Sequence, residues 1–284
     1  MKPSGREVHL EYKAAQIYSK LCRLSPFFNK WTMKAAYQAM AAYSRKTDWT
    51  FMNYGYTSLD PNARNIDLVQ PEDQERYCIQ LYQHVAESVD LTGRSLLDVG
   101  CGRGGGTWYY RHHGQAARVV GLDFSARNVV FCRNRYQAAG LTFIKGDAEQ
   151  LPFAASSFEF VVSVESSHCY RSMETFLGEV RRVLRPAGLL LLADFRERER
   201  IGLLDQQLAH SGIVMVEETD ITANVLRALE LDSQRRAEQI RRSAPSLLAG
   251  LLGEFAGVTG SDIYERFRSR ATLYKRFVLR KSGG

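Results

Sequence analysis

The chain has 284 residues, 45% of them hydrophobic, with 38 Lys and Arg against 31 Asp and Glu. That composition excludes disorder as the main state. No run reaches the roughly 20 apolar residues of a membrane-spanning helix; the densest, Leu189 to Ala193, has only a buried strand's length. The start, Met1-Lys2-Pro3-Ser4, lacks the apolar core of a signal peptide. The cysteines are Cys22, Cys78, Cys101, Cys132 and Cys169, an odd number with no C-x-x-C pair. A disulfide framework and a structural zinc site are therefore not expected, and no metal constellation is readable. A cytoplasmic protein with reduced thiols is expected. The net charge of +7 leaves nucleic acid, a membrane surface or an anionic substrate open.

The first 45 residues read as helix. Tyr12, Ile17, Leu21 and Leu24 recur at helical spacing, Pro26 breaks the run, and a second helix is predicted from about Asn29 to Tyr43. Trp49 to Tyr56 then gathers aromatics around Gly55 and reads as an ordered loop. Pro71, followed by Glu72, Asp73 and Glu75, opens a helix predicted to run to Val89. From Arg94 the rhythm becomes strand, helix, strand. Strands are predicted at 95–99, 118–122, 141–144, 158–164 and 188–195, with helices at 106–113, 125–139 and 172–184. That alternation predicts an α/β fold, with a parallel sheet covered by helices on both faces. A helix near 203–210, a strand near 213–216, a helical insertion over 221–267 and a last strand at 272–279 complete the chain. Four regions follow: an N-terminal helical cap with its aromatic loop (1–70), an α/β core (71–220), the helical insertion (221–267) and a final strand with a basic tail (268–284).

The turn after the first strand reads Asp98-Val99-Gly100-Cys101-Gly102-Arg103-Gly104. Its glycines permit a tight turn and close backbone approach to a ligand. A dinucleotide fold would carry a similar turn, but no G-x-x-x-x-G-K-[ST] is present. The second strand ends in Asp123-Phe124, where a carboxylate can accept from both hydroxyls of a ribose. The third leads into Gly146-Asp147-Ala148-Glu149, where a carboxylate can accept from an adenine amino group. The fourth ends in Glu165, followed by Ser166-Ser167-His168-Cys169-Tyr170.

These features, in this order over about residues 70 to 200, resemble the class I S-adenosylmethionine-dependent methyltransferases. The resemblance implies a Rossmann-like seven-stranded sheet. It also implies S-adenosyl-L-methionine as cofactor, with S-adenosyl-L-homocysteine as product. It gives Gly100, Cys101, Gly102 and Gly104 the methionine moiety, and Asp98 the turn or the cofactor's ammonium. Asp123 takes the ribose, Phe124 packs on the adenine, Asp147 and Ala148 meet the adenine amino group, and Glu165 sits at the amino-acid end. At a finer level Gly104 to Gly106, Glu165 to Tyr170, Ala193 to Arg196 and Ala223 to Arg227 resemble the phthiotriolone-type ketide-lipid methyltransferases and polyketide-tailoring O-methyltransferases. That likeness implies transfer of a methyl group to a hydroxyl of a hydrophobic small molecule.

His168, with an ordinary pKa near ~6.5, is the candidate base for that hydroxyl. Trp49, Tyr54, Tyr56 and Tyr170 are candidates for the acceptor pocket, and the insertion at 221–267 occupies a lid's place. Carbon methylation of an isoprenoid or other alkene is the alternative. A nucleic-acid methyltransferase is less expected, because no Asn/Asp-Pro-Pro-Tyr/Phe signature follows the fourth strand. A homodimer is compatible with the N-terminal helices. Arg266, Arg268, Arg270, Lys275, Arg276, Arg280 and Lys281 are unopposed by any acid after Glu265. Without them, residues 1–265 hold 31 basic and 31 acidic side chains. The net charge is thus a property of one short segment, read as a solubilising tail or as a dock for an anionic acceptor or acyl-carrier protein.

Overall fold

The structure, a computed structural model, describes residues 49–63, 66–68, 72–243 and 252–282. The helices predicted before residue 45 lie outside the described residues, as does Pro71. The chain divides into two compact units. The larger takes Thr50–Ala228 and Arg266–Gly284; the smaller includes Leu229–Glu265 and Trp49.

The larger unit carries a seven-stranded sheet in the order β3-β2-β1-β4-β5-β7-β6. Its strands are β1 (Ser95–Val99), β2 (Arg118–Asp123), β3 (Leu141–Lys145), β4 (Phe158–Val164), β5 (Leu184–Glu197), β6 (Ile213–Asp220) and β7 (Thr272–Lys281). Strands β1 to β5 are parallel. The parallel block is the one that the strand–helix alternation predicted; β7 enters antiparallel between β5 and β6, a direction that the sequence reading left open, and makes the seven-stranded sheet mixed. The physical reason is that a strand buried on both faces reads as one apolar run whichever way it points.

Five helices of this unit are α1 (Arg76–Ala86), α2 (Gly105–His112), α3 (Ala126–Arg135), α4 (Met173–Val183) and α5 (Arg198–Ala209). The helix predicted from Pro71 to Val89 is shorter, with a 3-10 turn at Glu72–Glu75 before α1. α3 also stops early, because Tyr136 is already extended. Ser125 and Ser172 cap α3 and α4 by accepting from Asn128 N–H and Thr175 N–H. Leu190, Leu191, Leu192 and Ala193 of β5 are fully buried, and Leu190 and Leu192 pack in one cluster with Phe176, Leu177 and Val180 of α4. This core fixes the height at which the carboxyl ends of β1 and β4 open.

The predicted insertion resolves into α6 (Thr222–Ser243) and, further on, α7 (Asp262–Arg268). Within the smaller unit Asp232 binds Arg235 and Arg236, and Arg236 also donates to the Ala256 carbonyl at 3.0 Å. Buried Arg236 is thus paired, as a buried cation must be.

The basic end of the chain is largely occupied by its neighbours. Arg266 reaches Glu197 at 2.7 Å, Arg270 reaches Asp220, and Lys275 reaches Glu218. Fully buried Arg276 donates to Glu217, Ser88 and the Val85 carbonyl, and Lys281 donates to the Leu184 carbonyl. Most of these acids lie on β6, the strand paired with β7. The cations of this segment are therefore mostly held by intramolecular partners, Lys275 and Arg276 by acids of the neighbouring strand β6.

Candidate active site

In an open α/β sheet the crevice lies at the carboxyl ends of strands where the order reverses, here between β1 and β4. Three segments meet there: the glycine turn after β1, the segment after β4, and Asp194 near the end of β5.

The glycine turn holds Gly100, Gly102 and Gly104 at positive φ. A Cβ at Gly100 would lie 2.4 Å from Ser166 Cβ, so only glycine lets the two segments touch. The turn's N–H groups are spent internally. Gly100 and Cys101 donate to the Leu122 carbonyl, Gly104 to Cys101, and Gly105 to Thr50. Gly102 donates to Asp123 Oδ2 at 2.9 Å. A phosphate nest needs such groups free and aimed outward. This turn therefore fits a cofactor that lacks phosphate.

Asp123 is 7% exposed. Its Oδ1 accepts from Ser125 N–H and Asn128, leaving acceptor capacity on Oδ2 beside the turn. Asp98 is buried and accepts from the Thr107 hydroxyl at 2.6 Å. Burial pushes its carboxyl up to about 7, aided by Asp123 and opposed by Thr107. It therefore ties the turn to the first turn of α2. Phe124 is 59% exposed at the end of β2, while Asp147 is half-buried and Ala148 buried beyond β3. Cys101 is buried in a small cluster with Cys132, Val129 and Phe143.

After β4 the chain carries the polar centre. Glu165 sits at φ 49, and its Oε1 accepts from Tyr54 N–H at 2.8 Å and from the Tyr274 hydroxyl at 3.0 Å. Burial pushes its carboxyl up to about 7, with Asp194 adding to the shift. Asp194 is 1% exposed and saturated with donors. Its Oδ1 accepts from His168 Nδ1 at 2.8 Å and from Phe195 N–H. Its Oδ2 accepts from the Ser167 hydroxyl at 2.6 Å and His168 N–H at 2.9 Å, with Arg196 Nη1 at 3.2 Å. Burial would raise its pKa, but the two cations and these bonds hold it well below the usual carboxylate range. For His168, burial would lower the pKa, yet the charge and hydrogen bond of Asp194 push it up to about 10. The ordinary value assumed from sequence does not hold at this position.

Around this centre Tyr54, Phe195, Phe267 and Tyr274 pack, tilted or edge to face, into an aromatic wall. Tyr54 lies 5.4 Å from Phe195 and 5.5 Å from Phe267, and His168 lies 4.5 Å from Phe195. The sequence candidates separate here. Tyr54 stands with His168 and Glu165. Tyr56 instead stacks on His84 of α1 at 4.0 Å. The Tyr170 hydroxyl bonds Ser166 at 2.8 Å, under the glycine turn. Trp49 belongs to the smaller unit.

Sequence reading gave no role to Asp194, Arg196, Phe267 or Tyr274. Asp194 left a signal: an acid that ends the apolar run of β5 at the sheet's carboxyl edge. Phe267 and Tyr274 left none, since an aromatic on a helix or strand reads as core. Among the described residues no group of three or more His, Cys, Asp and Glu is arranged to hold a metal. No helix among them is long and apolar enough to cross a membrane.

This strand order, with a phosphate-free glycine turn and an acid closing β2, defines the Rossmann-like class I methyltransferase fold. Comparison with known proteins agrees. Residues 97–192 match the family described as "Methyltransferase domain". The chain is 36% identical to a fatty-acid O-methyltransferase of Mycolicibacterium smegmatis, over 87% of this chain and 89% of the relative. It is 35% identical to the phthiotriol/phenolphthiotriol dimycocerosates methyltransferase of Mycobacterium leprae, over 81% and 85%. Among solved structures, the [4+2]-cyclase SpnF aligns with a TM-score of 0.66 at 19% identity, covering 87% of this chain and 93% of that one. A phosphoethanolamine N-methyltransferase of Haemonchus contortus, solved with S-adenosylmethionine, aligns at 0.62 and 18%, covering 72% and 52%. Those two show the fold alone. At the level of sequence the chain belongs to the S-adenosylmethionine-dependent methyltransferase family of these lipid O-methyltransferases, and is an enzyme of that type.

Proposed function

We propose that the protein transfers a methyl group from S-adenosylmethionine to a hydroxyl of a hydrophobic lipid or ketide acceptor. The observation that carries this reading is the His168–Asp194 pair, set beside an aromatic wall next to the glycine turn. The named substrates of the two relatives, fatty acids and phthiotriol lipids, are likewise long and apolar.

S-adenosylmethionine supplies an electrophilic methyl whose bond to sulfur breaks, with its electron pair, as the acceptor oxygen bonds to carbon. The protein's part is positioning and exclusion of water. Gly100, Cys101, Gly102 and Gly104 admit the methionine part, and Asp98 holds their turn. Asp123 takes the ribose through Oδ2, while Phe124, Asp147 and Ala148 frame the adenine. Glu165, with one oxygen occupied by Tyr54 and Tyr274, offers the other toward the amino-acid end. Tyr54 and Phe195 give the acceptor its apolar wall, and His168 meets its oxygen.

The direct test is calorimetry with S-adenosylhomocysteine, followed by methyl transfer to lipid acceptors. Binding that survives Asp123→Ala unchanged would overturn the cofactor assignment. The basic tail carries no docking role in this reading, since most of its cations are already held by acids and carbonyls of β5 and β6.

A further inference from the structure

We propose that Ser166, backed by Tyr170, is a positioning residue for methyl transfer, its hydroxyl pinning the turn that carries His168 to the end of the strand that feeds the cofactor turn. This role rests on the methyl-transfer reading and adds to it how donor and acceptor are held in line.

Donor and acceptor belong to different segments. The donor is held by the turn after β1, the acceptor by the segment after β4. In-line displacement needs sulfur, methyl carbon and acceptor oxygen aligned, and a misplacement of about 1 Å can cost ~100-fold in rate. One segment must therefore be fixed against the other.

Ser166 Oγ lies where they meet. It is 3.0 Å from the carbonyl of Val99, the last residue of β1, and 2.8 Å from both Ser163 Oγ and the Tyr170 hydroxyl. A serine hydroxyl has one proton to give and two lone pairs to receive. The Val99 carbonyl can only accept, so Ser166 donates there. Ser163 and Tyr170 then both donate to Ser166, and its capacity is filled. Burial raises the pKa of the Tyr170 phenol, which keeps its proton in place for this bond. Ser163 is fully buried on β4, and the Tyr170 ring rests on Phe176 of α4 at 4.8 Å. The pair also stands directly against Gly100. A Cβ there would lie 2.5 Å from Ser166 Oγ and 3.3 Å from the Tyr170 hydroxyl oxygen.

The other side of the segment is fixed as well. Ser166 and Tyr170 bracket the 3-10 turn Ser167–Cys169, where Cys169 N–H donates to the Ser166 carbonyl at 3.0 Å. His168 is the middle residue of that turn, and Asp194 holds its ring and its N–H. His168 is thus tied to β5 by Asp194 and to β1 by Ser166. Asp194 orients the ring, and Ser166 sets its distance from the cofactor turn.

The test measures single-turnover methyl transfer by the full-length enzyme at saturating S-adenosylmethionine. The acceptor probes are a saturated long-chain fatty acid and the alcohol of equal chain length. Ser166→Ala should slow transfer ~30-fold or more, with S-adenosylhomocysteine affinity and acceptor KM little changed. Tyr170→Phe should slow it ~5-fold or more, and the double variant should match Ser166→Ala within ~2-fold, because Tyr170 acts through Ser166. A wild-type transfer rate in Ser166→Ala would overturn the proposal. So would losses of rate, affinity and Tm that run together, as a merely structural role predicts, or additive losses in the double variant. Should Ser166→Ala not fold, Tyr170→Phe, which keeps the Val99 bond, decides by the same rate and affinity. Should the wild type methylate neither probe, NMR of histidine-labelled protein with S-adenosylhomocysteine bound decides. The His168 ring signal should shift or broaden in Ser166→Ala, and an unchanged signal would overturn the proposal. Failure of the wild type to bind S-adenosylhomocysteine would overturn the methyl-transfer reading, and this role with it.

Discussion

The two sides of the crevice are built on different principles. On the β1–β2 side the ligand surface is backbone. Gly100, Cys101, Gly102, Gly104 and Gly105 all give their N–H groups to the protein, and a single carboxylate, Asp123, is left to recognise a polar ligand. On the β4–β5 side the surface is side chains. Glu165, His168, Asp194 and Arg196 form one charged network walled by Tyr54, Phe195, Phe267 and Tyr274. The difference teaches where specificity resides. A backbone surface with one acid suits a fixed cofactor, while a charge network in an apolar wall can be retuned for one acceptor by few substitutions.

The comparison breaks first at Asp123. Asp123→Ala removes the acid and frees the Gly102, Ser125 and Asn128 donors together. S-adenosylhomocysteine affinity should fall ~100-fold or more by calorimetry, since charge-assisted bonds to the ligand and the turn are lost at once. Retained affinity would mean that the β2 end is not the ribose site.

The acceptor side is probed by Asp194→Asn. The amide keeps the shape but removes the charge that raises His168, so the His168 pKa should drop by several units, followed by NMR of the ring protons. The fold should lose about 3 kcal/mol or more in denaturant unfolding, because Arg196 and His168 lose their buried counter-charge. Cofactor affinity should hold, which separates the two sides. A His168 titration left in place would show that Asp194 does not control it.

A smaller effect is expected at the start of α2, where the cofactor side meets α1. A Cβ at Gly106 would lie 2.1 Å from the Tyr82 ring, and Tyr82 is buried. Gly106→Ala should therefore cost about 1–3 kcal/mol by displacing that ring, measured by urea unfolding. An unchanged midpoint would mean that Tyr82 moves aside freely.

The same contrast explains what the sequence revealed. The glycine turn, the acid ending β2 and the strand rhythm from Ser95 to Val164 are local. Each is written in consecutive residues, so turn chemistry and periodicity expose them. The acceptor side is assembled from positions far apart in the chain. Glu165 takes its hydrogen bonds from Tyr54 and Tyr274, 111 and 109 residues away. His168 was legible as a residue type in the right place. Its protonation was not, because that depends on Asp194, 26 residues on. The reversed direction of β7 was hidden too, since Phe277, Val278 and Leu279 bury equally well either way.

The finest test of the charge network is its pH dependence, where the three groups pull in different directions. His168 has a raised folded pKa, so its stabilisation is whole below its unfolded value near ~6.5 and fades as pH climbs toward about 10. Asp194 has a lowered one, so its share is present above ~3.9 and lost at more acid pH. Glu165 behaves oppositely to Asp194. Its carboxyl titrates at about 7 when folded and near ~4.3 when unfolded, so stability falls as pH rises between those values and then levels. Glu165→Gln removes that loss while keeping an acceptor oxygen for Tyr54 N–H and Tyr274. Between pH 5 and pH 8 the wild type should therefore lose a few degrees of Tm more than the variant does. Parallel Tm curves for the two proteins would mean that Glu165 is an ordinary, well-solvated carboxylate.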